Sequence, residues 1–468
     1  MPSKPFRPVD EEVLARLRRI VGEAWVRGDP EGLEPYAKDE TEGLACMPEA
    51  VVKPSCVEEV SATLALAHAH PFAVTPRTGG TGVTGGAVPL AGGIVLSLER
   101  MDRILEIDEE NFFAVMEPAV ITGALQRAVE EKGLFYPPDP ASLDSCTIGG
   151  NVAECAGGPR ALKWGVTRNF VAGLQVVFAD GRVSRLGGKL RKNVTGYDLI
   201  GLLVGSEGTL GVVTEITLRL LPRPGATLDL LAPFPSLEAA CAAVPAMARG
   251  DEVPAVVEIM DALCLEAASD FLHKEMPFPE ARAQLLVQLT GRNEEAVSQS
   301  MERAGEALLE SGALDVLVAP SASMRERMWE TRRQLREALL HRCPTKFSED
   351  VCAPPARMPA LIRRMKALAG EAGVEIACFG HAGDGNIHVN VLQGALSDEA
   401  WAQARPGLVR RVLEEAAQLE GTLSGEHGIG CTKRDHLSLV LDEPALEAMR
   451  AIKRALDPKG ILNPGKAV

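Results

Sequence analysis

The chain has 468 residues, 46% of them hydrophobic, which is enough apolar material for about three domains by length alone. Its net charge of −15 argues against a general nucleic-acid or membrane-surface binder, and its ten cysteines, with no C-x-x-C pair, exclude ferredoxin-type iron–sulfur and zinc-ribbon patterns in favour of reduced, mostly buried thiols. No run of ~18 apolar residues occurs and MPSKPFRPVDEE lacks a signal-peptide core, so the expectation is a cytoplasmic protein that reaches a membrane only through a partner.

Asp10 as N-cap, followed by Val13, Leu17, Ile20 and Ala24 at helical spacing, predicts a helix from Glu11 to Trp25 in an N-terminal helical segment, 1–45, read as an appendage. Ser55 and Glu58 form an S-x-x-E capping box that opens a helix running to about His70, and the strand FAVTP follows. From Ala50 to Leu221 the chain is glycine-rich, with PRTGGTGVTGG, AGGIVLSLERM, TIGGNVAECAGG and GSEGTLGVVTEITLRL in turn. In the last of these Val212, Thr214, Ile216, Leu218 and Leu220 alternate with Val213, Glu215, Thr217 and Arg219, the pattern of a strand buried on one side. PRPG at 222–225 breaks the chain and closes a first domain, 46–222.

Beyond it, predicted helices (Leu237 to Arg249, Glu294 to Ser311, Ala322 to His341, Arg357 to Gly370) alternate with strands such as AVVEIMD, ARAQLLVQLTG and VEIACFG. This pattern predicts an α+β domain, 223–419, with helices on one face of a largely antiparallel sheet. A last segment, 420–468, holds SGEHGIG, a helix around Ala445 to Leu456 and the ending DPKGILNPGK.

The segment FGHAGDGNIHVNV carries two histidines around a Gly-Asp-Gly-Asn turn. Asp384-Gly385 suits a two-residue type I′ turn, which would set Gly383 opposite Asn386, Ala382 opposite Ile387 and His381 opposite His388, with Asn390 on the same face. Directly opposed Cβ atoms stand roughly 5 Å apart, close enough for two imidazoles to share an ion. Glu426 could complete a ligand set, leaving His427 for proton transfer. Taken alone, the pair reads equally well as buried polar residues with satisfied hydrogen bonds.

The loop from Arg77 to Gly82 follows a strand, and its glycines let backbone N–H groups close around an anion such as a diphosphate. It fits neither the Rossmann nor the P-loop pattern, and three further glycine clusters suggest one extended ligand approached at several points. PRTGGTG, PPDPAS, TIGGN, KNVTGYDL, SEGTLGVVTEITLRLLP, FGHAGDGNIHVNV, SGEHGIG and ILNPGK together resemble the flavoprotein family of vanillyl-alcohol oxidase and p-cresol methylhydroxylase. Within it they look like the 2-hydroxy-acid dehydrogenase branch, which includes the flavoprotein subunit of bacterial glycolate oxidase and the D-lactate dehydrogenases. The likeness runs from about residue 45 to the end.

The resemblance implies a two-subdomain FAD-binding domain, a substrate-binding cap domain and a C-terminal segment that returns to the FAD. It assigns Arg77, Thr78, Gly79, Gly80, Thr81, Gly82 and Gly86 to the diphosphate loop. Pro138, Asp139, Ser142, Thr147, Gly149, Gly150 and Asn151 fall to the diphosphate and isoalloxazine. Glu207, Gly208, Gly211 and Val213 fall to the adenine and ribose side, and Asn463 to the returning tail. Thr81 stands where some relatives carry a flavin-linked histidine, so non-covalent FAD is expected. His381, His388 and Glu426 match the ligands of a divalent metal, with zinc as the expectation, His427 matches the base, and Asn390 matches a substrate-side residue.

Trp329, Arg332 and Arg336 would share one helix face, and Arg332 matches the arginine that clasps substrate carboxylate. Arg336 falls where some relatives have threonine, and Lys346 lies two residues out of register with a family lysine that aligns better with Ser348. The implied reaction is FAD-dependent oxidation of a small D-2-hydroxy acid, of glycolate or D-lactate type, with flavin or iron–sulfur partner subunits accepting the electrons. Two other readings are an assembly subunit with little activity alone and a zinc hydrolase that uses the glycine loops for another phosphate ligand.

Overall fold

The computed structural model describes residues 6–248 and 252–468, so the end of the helix expected at Leu237 to Arg249 and the first five residues of the N-terminal segment lie outside the described residues. The chain divides into two compact units, one of Met1–Gly157, Val166–Arg223 and Glu426–Val468, the other of Gly158–Gly165 and Pro224–Gly425.

The first unit holds two sheets. In one, the strands Ala50–Val52, Ile94–Ser97 and Val74–Arg77 are parallel, with the short strand Val26–Arg27 added antiparallel at the edge. The other is antiparallel, in the order Ile104–Asp108, Phe113–Met116, Val212–Arg219, Val171–Val177, Val183–Gly187. In strand Val212–Arg219, Val212, Thr214, Ile216 and Leu218 are buried, as their alternation requires. The C-terminal segment returns to the parallel sheet: Val74 N–H donates to Ile461 O at 2.8 Å, and Asn463 N–H donates to Val74 O at 2.8 Å.

The N-terminal segment is no appendage. Its helix spans Glu11–Val21, capped by the Asp10 carboxylate on Val13 N–H, and stops at Gly22 rather than running to Trp25. Val13, Leu14, Leu17 and Val21 sit in the same core as Val74, Ile94 and Leu96. The next helix is Val57–Ala69, and Glu59 rather than Glu58 closes on Ser55, accepting from its N–H at 2.7 Å and its hydroxyl at 3.2 Å.

The second unit is built on one seven-stranded antiparallel sheet, ordered Leu317–Val318, Ala226–Phe234, Ala283–Gly291, Val256–Asp261, Glu375–His381, Asn386–Leu392, Lys346–Cys352. Every residue of Val256–Asp261 and Asn386–Leu392 is buried. Successive strand residues point to opposite faces, so both faces are covered there, whereas helices on one face alone would leave alternate residues in water.

Two local differences matter for the site. The helix expected over Ala322 to His341 is two helices, Ala322–Arg333 and Leu335–Arg342, divided at Gln334. The histidine hairpin has a four-residue connection, so His381 lies opposite Asn386, and His388 lies opposite Phe379. Neighbouring chain pins that connection open: Gly383 N–H donates to Val257 O at 3.1 Å, and Ala353 N–H donates to Gly385 O at 3.0 Å. The shift from the expected register is even, so the two histidines keep a common face as diagonal neighbours.

Candidate functional site

In the second unit the sheet gathers the polar side chains onto one buried face. His381 and His388 are both buried, their ring centroids 5.3 Å apart and their planes nearly perpendicular at 86°. Each is backed by a buried carboxylate. Glu258, directly across from His381 in the ladder, has one oxygen 2.5 Å from His381 Nδ1, and its other oxygen accepts from Arg332 Nε. Asp350, across from His388, has Oδ1 3.7 Å from His388 Nδ1 and 2.5 Å from the Asn386 amide nitrogen. Asp350 Oδ2 accepts from Ser424 Oγ at 2.9 Å and Gly425 N–H at 3.0 Å, which fixes the chain just before Glu426.

Burial alone would push the Glu258 carboxyl up, but the charges of Arg332 and His381 and their hydrogen bonds outweigh it and hold the group below its ordinary value. Glu258 is therefore an ionised anchor that orients one imidazole and one guanidinium. The Arg332 guanidinium also stacks 4.7 Å from the Phe379 ring centre, on the same sheet face.

Lys346 and Asn390 come together although Lys346 stands two residues out of register with the family lysine. Both are buried, and Lys346 Nζ donates to Asn390 Oδ1 at 3.3 Å, while Ser348, opposite Asn390 in the ladder, is exposed. Arg336 does not join them. It lies beyond the Gln334 break, half-exposed, 3.1 Å from Glu337, so it does not share the face of Trp329 and Arg332. Trp329 instead donates to the buried Asp229 at 3.0 Å.

In the first unit the glycine loop meets the segment that starts helix Ile148–Glu154. The hydroxyls of Thr78 and Thr147 are 2.6 Å apart, and Thr147 caps the helix by accepting from Gly150 N–H at 3.3 Å. A Cβ on Gly79 would stand 2.9 Å from Ser145 O, so only glycine lets the two backbones approach this closely. Asn151, one turn on, is buried and donates to Thr122 Oγ1 at 2.7 Å. Gln126 holds the PPDP segment through Pro138 O at 2.8 Å, and the Ser142 carbonyl accepts from Ser145 and Cys146 N–H ahead of Thr147. Two backbone segments thus meet in a glycine-lined cradle with no room for a side chain at Gly79, and backbone of this kind suits an extended diphosphate cofactor.

Other expected cofactor residues are scattered through the unit. The Arg77 guanidinium holds the N-terminal segment through Lys38 O at 2.8 Å, beneath Gly80. Gly86 O accepts from Asn463 Nδ2 at 2.9 Å and Lys466 Nζ at 3.1 Å, joining the loop to the returning tail. Gly211 and Val213 flank the start of the central antiparallel strand, Gly211 against the Val176 side chain, while Gly208 packs on Pro76. The Glu207 side chain accepts from the peptide N–H groups of Ile429 and Gly430. Glu426 and His427 belong to this unit, with His427 O accepting from Thr84 Oγ1 at 3.2 Å.

The sequence reading missed Glu258 and Asp350. Glu258 sits in the strand VVEIMD and Asp350 in KFSEDVC, each with a second acid in the same strand, so no local pattern marks either one.

A cradle of glycine-rich backbone beside an antiparallel sheet, with a second unit on a seven-stranded sheet, is the plan of a two-domain flavoprotein. The same fold is found in a crystal structure of p-cresol methylhydroxylase with substrate bound, at a TM-score of 0.81 and 18% identity over 97% of this chain and 96% of that one. Residues 48–187 match the FAD binding domain model, and residues 223–467 match that of the FAD linked oxidases, C-terminal domain. The chain is 39% identical to the glycolate oxidase subunit GlcD of Bacillus subtilis over 98% of its length and 97% of the relative's. It is 36% identical to a D-lactate dehydrogenase of Anaerostipes hadrus over 100% of its length and 99% of the relative's. It belongs to the FAD-linked oxidase family and is an FAD-linked oxidoreductase. Among the described residues no helix is long and apolar enough to cross a membrane.

Proposed function

We propose that the chain oxidises a small D-2-hydroxy acid, of glycolate or D-lactate type, to the 2-oxo acid, using non-covalent FAD. The observation that carries this reading is the buried polar face of the second unit, where His381 and His388 stand against Glu258 and Asp350 beside Arg332 and the Lys346–Asn390 pair. Such a face is costly to bury without a charged ligand to receive. The activities in the names of the two relatives supply the substrate class.

Arg332 takes the substrate carboxylate through its terminal nitrogens, since Nε is committed to Glu258. Lys346 adds a second positive charge, and Asn390 orients it. His427 removes the proton from the α-hydroxyl oxygen. FAD, when bound in the cradle, supplies the acceptor for the hydride from Cα. His381, His388 and Glu426 are the residues that would hold a divalent metal, zinc being the expectation. Imidazole and carboxylate donors suit such an ion, and the Glu258 carboxylate orients the His381 ring as second partners do for metal-bound histidines. Bound there, the ion would supply Lewis acidity towards the α-hydroxyl. Arg336 is outside this proposal.

The word subunit in the name of the Bacillus subtilis relative supports a partner that takes the electrons onward. The test is anaerobic flavin bleaching by the purified chain on glycolate, D-lactate, L-lactate and longer 2-hydroxy acids, with an artificial dye as final acceptor. Bleaching by a D-2-hydroxy acid is the expected result; a flavin that stays oxidised across the panel would leave the chain an assembly subunit, and a colourless protein would overturn the reading altogether. His427→Ala should keep its FAD and lose at least ~100-fold in turnover, the lower end for general-base catalysis.

A further inference from the structure

Four short interactions confine the chain just after His427. Glu207 Oε1 accepts from Ile429 N–H at 2.8 Å, and Oε2 accepts from Gly430 N–H at 2.8 Å. Thr84 Oγ1 donates to His427 O at 3.2 Å, and Cys431 N–H donates to Thr84 O at 2.9 Å. Two consecutive peptide N–H groups converging on one carboxylate form a small anion nest, and charge-assisted bonds of this kind are about twice as strong as neutral ones.

Glu207 is itself fixed from three sides. It is buried, its N–H donates to Ala153 O at 2.8 Å, and its carbonyl accepts from Asn463 Nδ2 at 2.7 Å. It holds a left-handed conformation, φ +53°, which a glutamate adopts only when its surroundings over-determine it. Ala153 belongs to the helix that opens at the cradle, and Asn463 also grips Gly86 O in the glycine loop. The side chain thus links the cofactor-side backbone to the segment that carries His427.

Gly428 adds a second constraint. Its φ is +84°, and a Cβ there would meet Glu154 Oε2 at 2.1 Å. Glu154 is the last residue of the same cradle helix, so the backbone directly after His427 runs against it.

We propose that Glu207 is a positioning residue: its carboxylate fixes the peptide after His427 and thereby sets where the imidazole stands relative to the cofactor cradle. The proposal rests on the reading of His427 as the base. Its role is distinct from the adenine and ribose contact that resemblance assigns to this glutamate, because both carboxylate oxygens are committed to Ile429 and Gly430.

The test compares Glu207→Gln, His427→Ala and the double variant as FAD-loaded proteins. Glu207→Gln places an amide NH2 against one of the two peptide donors. It should speed hydrogen exchange at the Ile429 and Gly430 amides and lower kcat on the order of 10- to 100-fold with KM little changed, since a misplacement near 1 Å can cost that much. The double variant should turn over no more slowly than His427→Ala alone, because both changes act through one imidazole. Glu207→Asp keeps two acceptor oxygens but withdraws them by one methylene, and it should fall between wild type and Glu207→Gln; it serves in place of Glu207→Gln if that variant does not fold. Normal kcat despite faster exchange, or losses that multiply in the double variant, would overturn the proposal while leaving His427 as the base. Near-normal turnover by His427→Ala would remove the base reading and this positioning role together.

Discussion

Glu258→Gln is the sharpest probe of the buried face in the second unit. Glu258 is fully buried and serves two donors at once, His381 Nδ1 and Arg332 Nε. A glutamine keeps one acceptor oxygen but turns its NH2 towards the other donor, and it leaves the buried Arg332 charge without its counter-ion. Breaking a buried pair by removing one partner costs about 3–5 kcal/mol, and the retained acceptor argues for the lower end, about 3 kcal/mol. For a unit of this size each kcal/mol shifts Tm by about 2–4 °C, so a loss of about 6–12 °C is expected in the transition of the second unit by scanning calorimetry. Divalent-metal affinity, measured by titration of the metal-stripped protein, should fall about 10- to 100-fold, because the His381 ring loses the group that orients it. Bound FAD should be unchanged. Arg332→Met in the Glu258→Gln background should cost less than the sum of the two single changes, since it removes the stranded charge. A Tm within about 1 °C of wild type would refute the claim that Glu258 is the ionised anchor of this face.

Two further outcomes concern the first unit. Burial, with the Glu207 and Asp39 charges beside it, raises the Glu154 carboxyl well above its ordinary value, so the folded state holds a proton there that the unfolded chain releases. Stability from this group is complete below the ordinary carboxyl value and declines, by at most about 1.4 kcal/mol per pH unit, as pH rises towards the folded value. Glu154→Gln lacks that decline, so its Tm advantage over wild type should widen from pH 4.5 to pH 8; a constant difference would show that the carboxyl titrates normally. Acid precipitation of the holoprotein should release all of its flavin to the supernatant, because Thr81 offers no nitrogen for a covalent link; flavin retained in the pellet would contradict non-covalent binding.

Much of the first unit is legible in the sequence because its determinants are local. The alternation from Val212 to Leu220 and the punctuation by PRPG read directly as a buried strand and a break. The N-terminal helix was legible as a helix but not as core, since its partners Val74, Ile94 and Leu96 lie far along the chain. In the hairpin, Asp384-Gly385 favours a two-residue turn, but Val257 and Ala353 claim the backbone of the connection from outside it, and no local signal carries that. Arg332 and Arg336 look alike on a helical wheel, and the break at Gln334 separates a buried guanidinium from a half-exposed one.

What sequence spacing could not supply was the set of acids that hold the functional residues. Glu258 lies 123 positions before His381, Asp350 lies 74 before Ser424, and Glu207 lies 222 before Ile429. Each is a single carboxylate with no recurring partner in the chain, and its role exists only after the sheets have formed. The histidines are visible because adjacent residues make the pattern, while the His381 ring and the backbone after His427 are held by isolated carboxylates brought in by the fold. The same physical device recurs: a buried carboxylate accepts from two or more donors, at least one of them on the segment to be placed. A carboxylate suits this task because it is acceptor-only and can take hydrogen bonds on both oxygens, whereas an amide in its place must present a donor to one of the two sites. Glutamine should therefore be a poor substitute at Glu258 and Glu207, where both oxygens are filled by donors. At Glu154, where Oε2 is buried with no hydrogen-bond partner, the same substitution should be mild or favourable.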